Sequence, residues 1–327
     1  MTSSTTAGGS GERLGLLRLH ERIAVGGPVN VHFGWLVRAE RLVAVKRLHP
    51  LHVAGEIGIA LVHAEARLAM RVDHPNVVAT LGVVRRPGEV LAVMEYVPGA
   101  SLEEILGAAP GGLEPHVASA IVAGALRGLH AAHEARASVV PRRVSCARVL
   151  VGEDGRARVI DFDVGGPTTA GALVDELPYA SPEQVVRAGV GVDVRRDVYA
   201  ASVVLWETLT GRPLFGAPTV EGMLRKILSD AVPAPSRFAP WIRPDLDAVV
   251  LRGLARDPSD RFESASAMAS DLERASSGST HDVARALAAM DLACIRRRRV
   301  LAEAVRRREG NSLHFECSAS AMERDPT

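Results

Sequence analysis

Apolar residues recur along this chain with two periods, and the period changes near residue 98. From Arg22 to Tyr96, short apolar runs such as Val43-Ala44-Val45 stand between polar and turn residues, which predicts β-strands. One helix is expected among them, over Glu56 to Arg71, where apolar residues recur at helical spacing. After Pro98-Gly99 the helical period dominates. The pattern predicts an α+β protein with a small sheet-rich part and a larger helical part.

The helical part has three landmarks. A strand pair, Arg148 to Val151 and Ala157 to Ile160, flanks a Gly-containing turn. Residues 197–210 predict an apolar helix. A longer helix is predicted before them, because apolar residues share one helical face at Val117, Ile121, Ala125 and Leu129.

Composition suggests where the folded part begins and ends. Residues 1–17 are rich in Ser, Thr and Gly and are expected to be disordered. The folded domain is predicted over 18–275, with a small antiparallel-sheet lobe over 18–97 and a helical lobe after it. Residues 276–309 predict a linker and a C-terminal amphipathic helix, and 310–327 a flexible tail.

The C-terminal helix is expected over about 281–309, with eight arginines against four acidic residues. Such a helix usually docks its apolar stripe on the parent domain and leaves its charges in solvent. A helix for a partner or an acidic surface is the other interpretation. The stripe consists of Val283, Leu287, Met290, Cys294, Leu301 and Val305.

Bulk properties exclude several classes. The net charge of the 327 residues is +1, which gives no reason to expect binding to nucleic acid or to a membrane surface. No apolar run is long enough to span a membrane, and no signal peptide is evident. Three scattered cysteines predict reduced thiols in the cytoplasm.

Lysine is almost absent, so the two that occur are informative. Only Lys46 and Lys226 are lysines among 39 basic residues. Lysine is a compact point charge, whereas arginine is a planar fork. Lys46 ends the run Val43-Ala44-Val45-Lys46 and is a candidate for a site that needs a point charge.

Several short motifs stand along residues 18–275. They are Val43-Ala44-Val45-Lys46, Glu65 in Glu65-Ala66-Arg67-Leu68, His74-Pro75-Asn76, Asp161-Phe162-Asp163, Tyr179-Ala180-Ser181-Pro182-Glu183, Asp197-Val198-Tyr199-Ala200 and Asp260-Arg261-Phe262. In these motifs and their order, this part of the chain resembles a bacterial, myxobacterial-type serine/threonine protein kinase. The resemblance implies a two-lobed fold with a nucleotide cleft. It also implies that Glu183 pairs with Arg261, and that Asp197 caps the catalytic-loop backbone.

The resemblance assigns a nucleotide site. Lys46, with Glu65 as its helical partner, would hold ATP phosphates. Adenine would lie between Val31 and Ala44 above and Leu150 below, beside Met94 and a hinge over Glu95 to Val97. The glycine-rich loop keeps Gly26 but has Ala24 and Val29 at the other glycine positions, and Pro28 removes a backbone donor. The same residues would line an empty cleft, so ATP binding stays open.

The catalytic loop departs from the kinase pattern. Arg143 stands where kinases place the aspartate that accepts the substrate proton, and Arg148 where they place an asparagine that binds Mg²⁺. A guanidinium accepts no proton and offers no oxygen. Asp161 keeps the main metal-ligand position, and Asp163 replaces the following glycine. An arginine paired with these aspartates would supply the charge of Mg²⁺, although solvated, unpaired side chains are the other interpretation.

These substitutions favour a catalytically inactive pseudokinase that acts as a regulatory or scaffold module. The partner would be another protein, with an active kinase as one candidate. The alternative is a weakly active serine/threonine kinase that uses Lys46, Glu65 and Asp161 to transfer the ATP γ-phosphate to protein hydroxyls.

Overall fold

A computed structural model describes residues 12–26, 29–48, 66–67, 69–86, 89–135, 144–160, 177–186 and 193–322. They form two lobes, a small one built on an antiparallel sheet and a larger helical one, which confirms the predicted α+β class. The strands of the small lobe are β1 (Glu12–Leu14), β2 (Leu17–Gly26), β3 (Val29–Leu36), β4 (Arg41–Leu48), β5 (Thr80–Arg86) and β6 (Glu89–Glu95).

The small-lobe sheet has the strand order β1-β2-β3-β4-β6-β5, so β4 lies near its centre. Ala44 on β4 stands opposite Phe33 and Met94. Side chains directly opposite one another share a face of a sheet, and alternate residues along a strand point to opposite faces. Val43 and Val45 therefore pack into one apolar cluster, while Ala44 and Lys46 lie on the other face.

The small-lobe sheet begins earlier in the chain than expected. Residues 1–17 were predicted to be disordered, but β1 pairs with β2 from Glu12↔Leu19 to Leu14↔Leu17. The two strands are joined by a short turn in which Gly15 adopts φ +64°, a conformation open to glycine. Most of the helix predicted over Glu56 to Arg71 lies outside the described residues.

The large lobe begins with a three-stranded sheet of β7 (Gly99–Ser101), β8 (Val149–Gly152) and β9 (Ala157–Val159). The strand pair and both long helices predicted there are confirmed. The helices are α1 (Leu102–Ala108), α2 (Pro115–Ala135), α3 (Pro182–Val186), α4 (Arg195–Thr210), α5 (Val220–Leu228), α6 (Pro244–Gly253), α7 (Ala265–Ala275), α8 (Thr280–Met290) and α9 (Ala293–Met322).

Helix α4 runs through the centre of the large lobe, and every residue from Asp197 to Thr210 is buried. It ends at Gly211, which adopts φ +66°. A side-chain carbon there would come within 2.4 Å of the Gly112 nitrogen, so the chain can pass so closely only at glycine.

Close packing at α2 ties the two lobes together. A side-chain carbon at Gly128 would come within 2.2 Å of the Asn76 carbonyl oxygen, so this segment can lie against the helix backbone. The Asn76 side chain donates a 2.7 Å hydrogen bond to the Ala157 carbonyl. The Val159 nitrogen donates to the Asn76 carbonyl at 2.9 Å. The segment before β5 therefore has a fixed place on the large lobe.

The C-terminal region differs from its prediction in two respects. The single helix expected over 281–309 is two helices, because Asp291 adopts the left-handed conformation (φ 46°) and ends α8. Helix α9 continues to Met322, through part of the segment 310–327 that was expected to be a flexible tail. Within the part of the chain that is described, no helix combines the length and apolar character that crossing a membrane requires.

The Glu183–Arg261 pair predicted from the sequence is present, and we expect it to be a main anchor of the large lobe. The fully buried Arg261 guanidinium donates to both Glu183 oxygens, at 2.8 and 2.7 Å. Removing one member of a buried pair typically costs about 3–5 kcal/mol. Arg261→Met should lower the free energy of unfolding in urea by that amount.

Arg243→Met is the matched control, since its pair with Asp245 lies at the surface and should contribute little. Equal effects of the two substitutions would contradict the assigned role of Arg261.

Candidate functional site

The roof of the cleft is the face of the small-lobe sheet that carries Ala44 and Lys46. Val31 stands opposite Lys46 and therefore shares this face. Lys46 is 7% exposed, whereas Val31 and Ala44 are half-buried. The ring of Tyr96, which follows β6, meets Phe33 on the same face with centroids 5.1 Å apart. The roof residues predicted from the sequence thus lie together, on the side toward the connection between the lobes.

Leu150 lies on the opposite side of the cleft, at the top of the large lobe. Its neighbours Val149 and Val151 are buried in the large-lobe core, so the strand alternation turns Leu150 away from that core. Leu150 is half-buried and stands opposite Arg158 on β9. Arg158 donates to both carboxylate oxygens of Asp154 at 3.0 and 2.7 Å. This side of the cleft, its floor, therefore carries the apolar residue Leu150 and a cation, Arg158, that is paired with Asp154.

The hinge is fastened to the small lobe through Glu95. Its backbone nitrogen donates to the Ala79 carbonyl at 2.9 Å, and its carboxylate accepts from the Ala79 nitrogen at 3.1 Å. Because the Glu95 nitrogen and carboxylate both form hydrogen bonds with Ala79, the Glu95 side chain serves to position the hinge. Met94 and Val97 are half-buried at either side of it. Met94 and the predicted hinge residues are contiguous with the roof.

The phosphate end of the predicted site is described only in part. Gly26 pairs with Val29 at the end of the β2–β3 hairpin. Glu65, Arg143 and Asp161 lie outside the described residues, so the expected Lys46–Glu65 pair and the expected arginine–aspartate pairs are not tested. In the described segments, no three side chains that could bind a metal ion come together.

Arg148 closes a 3₁₀ turn over Cys146–Arg148, and its backbone is fixed at both ends. Its nitrogen donates to the Ser145 carbonyl at 3.0 Å, and its carbonyl accepts from the Ile160 nitrogen at 3.0 Å. The backbone thus holds Arg148 beside Ile160, which directly precedes Asp161 in the sequence. A guanidinium, which only donates hydrogen bonds, therefore stands where a neutral metal ligand was expected.

A buried polar cluster below this turn was missed by the sequence analysis. One oxygen of Glu207 on α4 accepts from the Tyr179 hydroxyl at 2.8 Å and lies 3.5 Å from the Cys146 sulfur. Its other oxygen accepts from the Leu214 nitrogen at 3.1 Å. Burial raises the pKa of Glu207 and, still more, those of Tyr179 and Cys146. The only signal in the sequence is a glutamate directly after the apolar run Val203-Val204-Leu205-Trp206.

Asp197 was expected to cap the catalytic-loop backbone, and in the described residues it contacts His133. His133 Nε2 lies 2.7 Å from Asp197 Oδ2, and both side chains are buried. Burial raises the pKa of Asp197 to about 6, although the hydrogen bond with His133 opposes the rise. Glu183 shows the reverse balance. Burial would raise its pKa, but the hydrogen bonds and charge of Arg261, together with hydrogen bonds from the Glu183 backbone and Ser181, hold the pKa below its usual value.

Comparison with known proteins supports the resemblance to protein kinases that the sequence motifs indicate. A family model described as protein kinase domain matches residues 18–272. The serine/threonine-protein kinase PknB of Mycolicibacterium smegmatis is 34% identical over 282 residues, which are 82% of this chain and 44% of that protein. PknL of Mycobacterium tuberculosis is 33% identical over 258 residues, 77% of this chain and 63% of that protein. The chain thus spans about half to two thirds of the length of these relatives.

Among solved structures, the kinase domain of Mycobacterium tuberculosis PknI is similar to this chain with a TM-score of 0.66 at 23% sequence identity. The similarity covers 83% of this chain and 100% of that domain. At this level of identity the comparison concerns the fold, and it matches the two-lobed arrangement described above.

The buried Asp197 carboxyl group should make stability depend on pH. Its pKa of about 6 in the folded protein exceeds the value of about 3.9 in an unfolded chain. Between these values the folded state holds a proton that the unfolded state has released. This group therefore lowers the free energy of unfolding as the pH rises through that window.

Asp197→Asn removes the titration, so urea unfolding from about pH 4 to pH 7 should show the parent losing stability relative to the variant. Parallel pH profiles for the two proteins would rule out a raised pKa at Asp197.

Proposed function

Because this chain belongs to the protein kinase family, we propose that it is a pseudokinase, a member that keeps the nucleotide cleft but has lost phosphoryl transfer. The observation that carries this proposal is Arg148. Its backbone lies beside the residue that precedes Asp161, and its side chain is cationic at a position where kinases bind metal through an amide oxygen. The other residues of the cleft support nucleotide binding without supporting chemistry.

Arg143 removes the second requirement for catalysis. In protein kinases the catalytic-loop aspartate accepts the proton of the substrate hydroxyl, and general-base help contributes about 10²- to 10⁴-fold in rate. Arginine stays protonated at every pH a protein tolerates. The two substitutions are independent of one another, and each is sufficient to suppress transfer strongly.

The cleft residues nevertheless fit a nucleoside phosphate. Val31 and Ala44 on the roof and Leu150 on the floor present apolar surface to a base, beside the hinge at Glu95 to Val97. Lys46 lies on the roof face and would neutralise phosphate charge. We therefore propose ATP or ADP as the ligand, held by these residues and the β2–β3 hairpin.

Magnesium fits this site poorly. A divalent cation next to a guanidinium is disfavoured electrostatically, most of all in a cleft that is partly shielded from water. An arginine at the second metal position would itself supply positive charge to the phosphates. We propose that nucleotide binding here does not require Mg²⁺, and that Asp161 pairs with an arginine in place of a metal.

A regulatory role follows from a domain that binds nucleotide and does not turn it over. Such a module can alter the activity of a protein partner only by binding to it. We propose an active kinase as that partner. The competing function is a weakly active serine/threonine kinase. Lys46, a point charge in a chain with almost no lysine, favours that alternative and makes the assay of activity decisive.

The purified chain should transfer no phosphate to itself or to generic protein substrates above background. Loss of the base and of one metal ligand should each cost several kcal/mol in the transition state, where about 1.4 kcal/mol corresponds to tenfold in rate. The measurement is incorporation of γ-labelled phosphate with Mg²⁺ or Mn²⁺. Incorporation that Lys46→Met abolishes would establish the weakly active kinase instead.

Substituting Arg148 should change the metal dependence of binding while leaving catalysis absent. In Arg148→Asn the repulsion disappears and an amide oxygen is available, so Mg²⁺ should tighten ADP binding in the variant but not in the parent. Isothermal titration with Mg²⁺ and with chelator gives the two affinities. Arg237→Asn, an exposed arginine of the large lobe, is the control. Strong Mg²⁺ dependence in the parent would contradict the proposal.

A further inference from the structure

Helix α9 lies beyond the residues that match the kinase family, and it contacts both lobes. Its beginning belongs to the large lobe, because Ile295 and Leu292, the residue just before the helix, are buried in the large-lobe core. One turn later, Arg298 donates to both carboxylate oxygens of Glu104 on α1, at 2.9 and 2.7 Å. Arg298 also donates to the Gly99 carbonyl at 3.1 Å. This end of α9 is thus fastened just below the hinge.

The next three turns of α9 lie against the small lobe. Glu309 is 4% exposed, and its carboxylate accepts a 2.6 Å hydrogen bond from the Arg18 guanidinium on β2. His20 Nε2 lies 3.0 Å from the other oxygen of Glu309. Arg308 pairs with Glu21 at the surface. These contacts join residues almost 300 positions apart in sequence and hold α9 to the first long strand.

Apolar contacts show which face of the sheet α9 covers. Ala302 and Val305 are buried in a cluster with Phe33, Trp35 and Leu42, and Tyr96 packs against its edge. Phe33 stands opposite Ala44, so this is the face that also carries Lys46. The helix therefore lies on the cleft side of the small lobe, next to the hinge.

A continuous helix fastened at both ends restricts the motion between the bodies it joins. The distance along the axis from Arg298 to Glu309 is about 16 Å at 1.5 Å per residue. A change in the angle between the lobes must therefore break the Arg298 contacts, the Glu309 contacts or the helix itself. We propose that α9 is a regulatory strap that holds the two lobes in one orientation while it is docked and frees them when the small-lobe end is released.

The chemistry of the docking surface suits a contact that can be broken. It depends on ion pairs, and three polar side chains around it, His20 and Trp35 together with the partly exposed Glu21, each have a buried atom without a hydrogen-bond partner. Such groups reduce the net stability of an interface. Helix α8 is attached differently, because its residues Val283 and Leu287 pack into the large-lobe core. The expected point of release is accordingly the small-lobe half of α9.

The strap does not depend on nucleotide binding, and hydrogen exchange of the 327-residue chain without nucleotide tests it. In Glu309→Gln, amides of α9 after Leu301 and of β3 should exchange about 100-fold faster or more, as expected from loss of a buried charge partner. Amides of α2 and α4 in the large lobe should be unchanged. Arg18→Met, which removes the other partner, should give the same pattern.

Glu303→Gln is the matched control, since Glu303 is an exposed residue of the same helix and its pair with Arg307 spans 3.7 Å at the surface. It should leave exchange unchanged. If neither Glu309→Gln nor Arg18→Met accelerates exchange in α9, the strap is refuted. It is also refuted if exchange of the α2 and α4 amides accelerates by the same factor, because α9 would then unfold only together with the large-lobe core.

Discussion

Burial of α4 from Asp197 to Thr210 is the constraint on which the large lobe depends. A buried carboxylate is tolerated only where other groups satisfy it, so Asp197 and Glu207 each require partners at fixed places. His133 on α2 meets the first, and Tyr179 and the backbone of Leu214 meet the second. These hydrogen bonds thereby hold α2 and the segments at Tyr179 and Leu214 against α4.

None of these hydrogen bonds to Asp197 and Glu207 involves the side chains at positions 143 and 148, where kinases place groups needed for phosphoryl transfer. The turn that contains Arg148 is held by its own backbone, and the region after Tyr179 is held by Arg261 and Glu207. Because fold and chemistry rest on different atoms, an arginine at the metal position need not disturb the architecture. The same separation explains why family membership follows from the sequence while activity does not.

The sequence analysis succeeded where local pattern determines structure. The apolar run Val43-Ala44-Val45 predicted a strand, which is β4, and the resemblance to kinases predicted the Glu183–Arg261 pair. It failed where a residue adopts an uncommon conformation, as at Asp291, which separates α8 from α9. It also missed contacts between distant segments, such as Arg18 with Glu309, because periodicity carries no information about which surfaces meet.

The central claim is that arginine takes the place of a metal in the cleft of this protein. Crystals grown with ADP and Mn²⁺ test it most directly, because anomalous scattering locates manganese without ambiguity. The account predicts ADP between Ala44 and Leu150, a guanidinium from Arg148 or Arg143 beside Asp161, and no manganese peak at the phosphates. A manganese ion bridging the phosphates and Asp161 would contradict it.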